Sequence, residues 1–365
     1  MYSPKRRFRL FRSPAFAGGS PAPPAGSSAD LLSFSRSLAT TYTGYNAVPT
    51  DGGALTINSQ SLGNYEVTAR NGNTTISSFT ASDWFTSTKD TTSSWIIVNG
   101  NLTIDAGQTI IPPVRKLFTV VYVTGNLVCN GSISMSARGA NHSGTGDSGG
   151  ATTAVDIRIG TGTFSAVVNP QIPATGGAGG LGRNTSGQTA GTDGTNGGTG
   201  GGAGGAWFTS GTTSGAGRAG TCFSGGSGGG GMYSTAGQGP APTSGGLNGG
   251  AGGNGGGNQI SGGGAGNPGG TGMDFGVTSV AYAGSNGTGG VLIVICEGNI
   301  SGTGSFSAAG SAGGGVAARG GGSGGGSISI LYKTNTSDST TTSVTGGTNG
   351  PGGAGTARKL AIGSN

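Results

Sequence analysis

Short apolar runs separated by polar turns dominate the pattern along this chain. "VVYVTGNLVCNGSISMSA" at 120–137, "GGVLIVICEGNI" at 289–300 and "SISILYK" at 327–333 have the length and β-branched content typical of strands. A fourth strand-like run is "VDIRIGTGTFSAVV" at 155–168. The region 29–94 contains shorter alternating runs among Thr, Ser and Asn, which also predict short strands.

One segment near the N-terminus predicts a helix instead. In "ADLLSFSRSLATTY", which starts at Ala29, apolar residues recur on one side of a helix. These residues are Leu31, Leu32, Phe34 and Leu38. We predict a short helix capped by Ser27 or Ser28, because a serine side chain can accept a hydrogen bond from the first helical turn. The chain is therefore expected to be mainly β with little α-helix.

A Gly-Asn pair followed by an aliphatic residue occurs three times. The copies are "VNGNLTI" from Val98, "VTGNLVC" from Val123 and "CEGNISG" from Cys296. The spacing from Val98 to Val123 is typical of one turn of a solenoid. The second and third copies belong to longer stretches, 120–137 and 293–310, which align with each other without gaps.

This repeat predicts a stack of short strands in which Gly-Asn forms each corner. Asparagine tolerates left-handed backbone conformations and hydrogen-bonds nearby backbone groups. We expect the aliphatic residue after each corner to point inward. We also expect strands 120–136 and 291–308 to be neighbours in one sheet. The glycine-rich block between them would then be a long connection that is held at both ends by these strands.

The glycine content changes sharply near Arg138. Only 12 of the 87 glycines precede residue 139. Collagen is excluded because the runs break its strict three-residue period, and the strand-like runs disfavour a flexible linker. Glycine-rich polyproline-II helices can pair their N–H and C=O groups laterally in a packed bundle. The predicted fold therefore combines short-strand β-solenoid or sandwich elements with a polyglycine-II helix bundle.

Glycine runs between residues 139 and 356 resemble the motifs of phage tail-fibre-tip adhesins. The runs are "GGAGGLGR" (176–183), "GGTGGGAGGAW" (197–207), "GGSGGGGMY" (225–233), "GGLNGGAGGNGGG" (245–257) and "GGGVAARGGGSGGG" (313–326). The resemblance implies a sandwich of polyglycine-II helices whose intervening loops bind the bacterial surface. On this basis, the candidate receptor contacts are the apolar residues of the loops. They are Trp207, Phe208, Phe223, Met232, Tyr233, Phe275 and Tyr282.

These patterns divide the chain into five predicted parts. They are a basic arm and Pro/Gly/Ala linker (1–28), an N-terminal attachment region with short strands (29–94), solenoid-like strands (95–138), a glycine-rich domain with strands returning at 289–333 (139–356) and a C-terminal tail (357–365).

The formal charge of +6 comes mostly from the basic arm. The candidate virion-attachment residues of this arm are Lys5, Arg6, Arg7, Arg9 and Arg12. The remaining 13 basic and 12 acidic residues provide no basic face for nucleic acid. The arm has no apolar segment of a signal peptide behind it, and no apolar run is long enough to suggest membrane insertion.

The residues needed for catalysis or metal binding are sparse. The single histidine, His142, has only Asp147 and a serine nearby, and one histidine excludes a multi-histidine metal site. The twelve carboxylates are scattered, and no G-K-[ST] motif is present. Cys129, Cys222 and Cys296 are expected to be reduced, buried thiols. We expect no enzymatic activity and no cofactor or metal.

Composition and resemblance together predict a structural virion protein of a bacteriophage, most simply a tail-fibre or fibre-tip adhesin. Such a protein would be made in the host cytoplasm and exposed on the particle. Its expected partners are other virion proteins, through the N-terminal region, and a bacterial surface protein or polysaccharide. A homotrimer is left open. The alternatives are a capsid decoration or head-fibre protein, and an extracellular structural or ice-binding protein.

Overall fold

The structure is a computed structural model. It describes residues 26–86, 92–139, 157–160, 167–168, 271–273, 281–283, 287–312, 322–348 and 354–361. These residues are mainly β with little α-helix, as predicted. The strands before residue 139 are β1 (Gly26–Ser28), β2 (Thr50–Ile57), β3 (Gln60–Asn71), β4 (Thr74–Ile76), β5 (Thr92–Asn99), β6 (Leu102–Ile104), β7 (Thr109–Ile110), β8 (Thr119–Val123), β9 (Leu127–Cys129) and β10 (Ser132–Ser134). Those after it are β11 (Ile157–Arg158), β12 (Val167–Val168), β13 (Thr271–Met273), β14 (Ala281–Ala283), β15 (Val291–Gly302), β16 (Ser305–Ser307), β17 (Ser327–Asp338), β18 (Thr341–Ser343) and β19 (Thr356–Ala361).

Most of these strands belong to two sheets. The larger sheet has eleven strands in the order β1-β2-β3-β5-β8-β15-β9-β6-β4, with β17 paired to β15 and β19 paired to β17. The smaller has the order β18-β16-β10-β7. Apart from the antiparallel hairpin of β2 and β3, both sheets are parallel. Neither sheet closes on itself among the described residues. Two further antiparallel pairs are β11–β12 and β13–β14.

The chain runs through the two sheets repeatedly in the same direction, and each such course is called a pass here. In one pass β5, β6 and β7 follow one another, and in the next β8, β9 and β10 do so. The first part of β15 pairs with β8 and its last part with β9, and β16 then pairs with β10. β17 and β18 form the following pass, and β19 pairs with β17. Each pass thus adds strands beside those of the one before.

The register between passes matches the repeat found in the sequence. Val120 lies opposite Ile293, and Ser132 lies opposite Ser305. The gap-free alignment matches the same two pairs, so the prediction that these stretches are neighbouring strands is confirmed. The expectation of a single sheet is wrong, because the first pair lies in the larger sheet and the second in the smaller. Val98 lies opposite Val123, and these are the residues at which the first two copies of the repeat start.

The residues that follow each Gly-Asn corner do point inward. Leu102, Leu127 and Ile300 are fully buried in one apolar cluster to which strands of both sheets contribute. The strands β5, β8 and β15 are buried on both faces, because their other face packs against a second cluster that includes the helix. This explains why their sequences are continuous apolar runs rather than alternating ones.

The predicted helix is present as α1 (Leu31–Thr41), and its four apolar residues are buried. The N-cap is Asp30, whose carboxylate accepts a hydrogen bond from the Ser33 N–H at 2.8 Å. The predicted serine caps are wrong, because Ser27 and Ser28 are held extended in β1 by pairing with β2. A short 3-10 helix spans Ala81–Asp83. Within the described ranges, no helix has both the length and the apolar character needed to cross a bilayer.

The Gly-Asn corners form a ladder of side-chain hydrogen bonds from pass to pass. The Oδ1 atom of Asn73 accepts from the Asn101 N–H (3.1 Å), that of Asn101 from Asn126 (2.8 Å), and that of Asn126 from Asn299 (2.9 Å). Each asparagine thus joins its corner to the backbone of the next. Asn73 belongs to a fourth copy, "NGNTTI", which the sequence pattern missed because Thr74 replaces the aliphatic residue.

We expect Asn126→Ala to lower the free energy of unfolding by about 1 kcal/mol, because it removes the acceptor for the Asn299 N–H. Urea denaturation of both proteins measures this difference. Asn130→Ala is the matched control, since Asn130 is exposed and its side chain makes no hydrogen bond among the described residues. Equal effects of the two substitutions would contradict a role for the ladder in stability.

Candidate functional site

Three connections between passes have their ends close together. They are 140–286, 313–321 and 349–353, and each connects one pass to the next. The backbone around their ends is rich in glycine. We call it the glycine junction, which comprises residues 287–290, 308–312, 322–326, 345–348 and 354–355.

The ends of the long segment are held together directly. The N–H of Gly139, the last described residue before it, donates to the carbonyl of Thr288 at 2.9 Å. One pass on, the Ser323 N–H donates to the Ser311 carbonyl at 3.0 Å across the segment 313–321. The expectation that the glycine-rich block is held at both ends is therefore confirmed for its backbone.

Backbone groups of the glycine junction form hydrogen bonds with more than two neighbouring pieces of chain. Residues 308–312 exchange hydrogen bonds with four other pieces of chain, whereas a strand in a sheet has at most two neighbours. The four bonds are Ala137 N to Ala309 O (2.9 Å), Ser311 N to Gly287 O (3.3 Å), Gly326 N to Ala308 O (2.7 Å) and Gly310 N to Thr345 O (2.9 Å). The junction is therefore a three-dimensional network of main-chain hydrogen bonds.

The glycines of the junction are required by close approach of the backbone. A Cβ at Gly355 would lie 1.7 Å from the Gly326 carbonyl oxygen, and one at Gly326 would lie 1.9 Å from that of Gly290. A Cβ at Gly325 would lie 1.8 Å from the Val344 carbonyl oxygen. Gly325, Gly326 and Gly355 do not have φ in the left-handed region. The absence of a side chain, rather than conformational freedom, therefore explains these glycines.

Two serines connect the backbone pieces of the junction through their side chains. Ser323 is fully buried, and its hydroxyl donates to the Gly287 carbonyl at 2.9 Å. The Ser323 hydroxyl oxygen accepts from the Ser311 N–H at 2.8 Å, and the Ser311 hydroxyl donates to the Gly287 carbonyl as well. These bonds join both ends of segment 313–321 to the residue at which segment 140–286 returns.

All seven predicted receptor contacts belong to segment 140–286. Trp207, Phe208, Phe223, Met232, Tyr233 and Phe275 lie outside the described residues. Tyr282 lies on β14 at the position opposite Gly272 of β13. The structure therefore places one of the seven residues, on a short antiparallel pair within the segment.

The long segment has a second contact with the N-terminal part of the chain. Ile159 is fully buried in the cluster that includes α1. Its carbonyl accepts a hydrogen bond from the Leu32 N–H at 3.0 Å, which satisfies a donor of the first helical turn. No sequence pattern indicates this contact, because Ile159 and α1 are far apart along the chain.

Most of the other residues singled out from the sequence lie in parts of the chain that the structure does not describe. Lys5, Arg6, Arg7, Arg9 and Arg12 lie outside the described residues, as do His142, Asp147 and Cys222. The described part of the chain has no group of three or more His, Cys, Asp or Glu residues suited to a metal ion.

Two of the three predicted buried thiols are confirmed. Cys129 and Cys296 are free and buried. Burial raises the pKa of Cys129 to about 12 and that of Cys296 to about 11. Both thiols therefore remain protonated at neutral pH and are poor nucleophiles.

We expect Gly326→Ala to destabilise the protein by about 3 kcal/mol, because its Cβ would overlap a backbone carbonyl that cannot rotate away. Gly107→Ala is the comparison, since Gly107 has φ +81° but nothing within 4 Å of the added carbon. It should cost about 1 kcal/mol, and Gly107→Asn should cost less because Asn tolerates this conformation. Thermal and urea unfolding test this ranking, and equal losses for the two alanine variants would contradict the steric explanation.

Comparisons with known proteins add no relative from which a role could be transferred. No family model matches the chain, and neither a curated protein nor a solved structure shows significant similarity to it. A functional proposal therefore rests on the residues and contacts of the chain itself.

Proposed function

We propose that this chain is a structural protein of a bacteriophage virion, a tail-fibre or fibre-tip adhesin that binds the host-cell surface. In this proposal the stack of passes is the rigid scaffold, and segment 140–286 carries the receptor-binding loops. Such a protein is not an enzyme, and its role needs neither a cofactor nor a metal.

One observation supports this proposal more than any other. The segment that contains all seven candidate contact residues is attached to the scaffold where its two ends meet, at the Gly139–Thr288 hydrogen bond. Binding residues are often carried on loops held by a rigid scaffold, where they can vary without disturbing the core. The location of the seven residues in one such segment fits this division of roles.

The scaffold is proposed to be a β-solenoid. Its support is the parallel register of successive passes, the corner ladder through Asn101 and Asn126, and the apolar cluster shared by the two sheets. In regular stacking of this kind, each repeat contacts mainly its neighbours, as in other repeat proteins.

The glycine junction is proposed to start a polyglycine-II bundle that continues into segment 140–286. Polyproline-II chains have no internal hydrogen bonds, so their backbone groups must be satisfied by neighbours on several sides. Such packing requires backbone hydrogen bonds on several sides and no side chains between neighbouring backbones. Residues 308–312 form hydrogen bonds with four other pieces of chain, and a Cβ at Gly326 or Gly355 would overlap a neighbouring backbone.

The proposed receptor contacts have a chemistry suited to a cell surface. Trp, Tyr and Phe side chains provide a large contact area with little loss of conformational entropy, and they pack on sugar rings or on protein loops. We expect the receptor to be a bacterial surface protein or polysaccharide. The basic arm and the region 29–94 are proposed to attach the protein to other virion components.

We expect the purified, fluorescently labelled chain to bind saturably to cells of a host strain within a broad bacterial panel. A variant in which a short Gly-Ser linker replaces residues 169–270 should lose most of this binding. The deletion retains every described residue, including Ile159 and the Gly139–Thr288 closure. Alanine at Trp207, Phe223 and Tyr233 together should weaken binding at least tenfold, which corresponds to about 1.4 kcal/mol.

Tyr45→Ala/Val48→Ala is the matched control, since Tyr45 and Val48 are exposed apolar residues outside the segment. It should bind as the parent does. Retained binding by a folded deletion variant would overturn the role of the segment. If the folded full-length chain bound isolated capsids and no cells, the adhesin proposal would fail and a capsid decoration or head-fibre protein would replace it.

A further inference from the structure

Near each end of the stack of passes, one strand has a charged residue at a position that faces the apolar cluster shared by the two sheets. On β3, Arg70 lies in register with the buried Val98 of β5. On β19, Lys359 lies in register with the buried Ile330 of β17. In register with these two residues, the strands between them carry valine, isoleucine or cysteine, and the partly buried Tyr332 on β17. The change to charge therefore marks the two ends.

The N-terminal end is covered by the chain's own residues. Inward-facing Glu66 pairs with Lys116 at 2.8 Å, with both side chains almost fully buried, and also accepts from the Ser94 hydroxyl at 2.5 Å. The Arg70 guanidinium stacks on the Trp84 ring at 4.8 Å and donates to the Asp83 carbonyl. The β2–β3 hairpin closes this end of the large sheet.

The C-terminal end is more open. β19 pairs with β17 alone among the described residues, and its side chains from Ala357 to Leu360 are only half-buried. Lys359 donates to Asp338 at 2.7 Å and to the carbonyl and hydroxyl of Thr340, both at 2.8 Å. The Lys359 ammonium is thus held by partners of its own chain, while the other edge of β19 has no partner strand within the described ranges.

An unpaired strand edge can pair with a second copy of the same protein, and inward-pointing lysines are one device that prevents this. β19 is six residues long, and Arg358 and Lys359 lie in its middle. Two copies paired antiparallel about the middle of β19 place either Arg358 opposite Arg358 or Lys359 opposite Lys359. Like charges directly opposite one another destabilise such a pair.

We propose that Arg358 and Lys359 make the β19 edge reject a second copy of this chain, so that the stack ends at this strand instead of extending by edge-to-edge pairing. The inference concerns the C-terminal edge of the scaffold and is independent of the proposed receptor.

The test removes the charges from the edge in the full chain. In the variant Asp338→Asn/Arg358→Thr/Lys359→Leu, we expect the weight-average mass to rise with protein concentration to about twice the parent value in sedimentation equilibrium. The parent mass should remain constant over the same range. Circular dichroism and thermal unfolding verify that the variant is folded.

Two further variants make the result decisive. Asp338→Asn/Arg358→Thr/Lys359→Gln replaces the ion pair with an uncharged hydrogen-bonded pair and should associate as the leucine variant does. It takes the place of the leucine variant in the test if that variant does not fold. Arg36→Gln removes a positive charge of α1 that pairs with Glu297 of β15 at 2.7 Å and not with the edge strand, and should leave the mass unchanged. A folded edge variant with the parent's mass at every concentration would overturn the proposal, as would equal association of Arg36→Gln.

Discussion

Parallel stacking of passes at the strand spacing, about 4.8 Å, is the constraint on which the rest of this structure depends. Each corner lies directly on the corner of the previous pass, so a side chain at a stacked position meets backbone. A Cβ at Gly100 would lie 2.4 Å from the Gly72 carbonyl oxygen, and one at Gly298 would lie 2.6 Å from that of Gly125. Glycine is therefore required there. The following asparagine can reach the next pass because the corners are in register.

The glycine junction meets the same constraint more severely, because its segments contact backbone on several sides instead of two. Ordering a glycine backbone costs about 1–2 kcal/mol per residue in conformational entropy. Main-chain hydrogen bonds offset this loss only when most buried donors and acceptors are paired, as they are along residues 308–312. A high glycine content is thus compatible with an ordered structure where many chains pack together, and the strands of the scaffold supply the fixed neighbours from which such packing can begin.

The sequence was sufficient to predict elements that repeat and insufficient for those that occur once. The gap-free alignment predicted the register of β8 with β15, because stacked passes impose the same spacing on both. It missed the pass that contains Asn73, where Thr74 replaces the aliphatic residue. Single contacts such as Arg36 with Glu297 have no local pattern, since they join residues 261 positions apart. For the candidate site, the sequence predicted which segment carries the candidate residues and that its two ends are held together. It could not predict the contacts of Trp207 or Tyr233, because these depend on packing that composition does not specify.

The hydrogen bond that joins the two ends of the long segment also explains why connections between passes can differ so much in length. Only 111–118 lies between β7 and β8, whereas the connection closed by Gly139 and Thr288 contains 140–286. The entropy of closing a flexible loop grows only with the logarithm of its length, by about 0.6 kcal/mol for each doubling. Replacing or lengthening residues 169–270 therefore changes the stability of the scaffold little, provided that Ile159 and both ends of the segment can still form the same contacts. The passes determine where the segment begins and ends, while the sequence between its fixed points is left free to change.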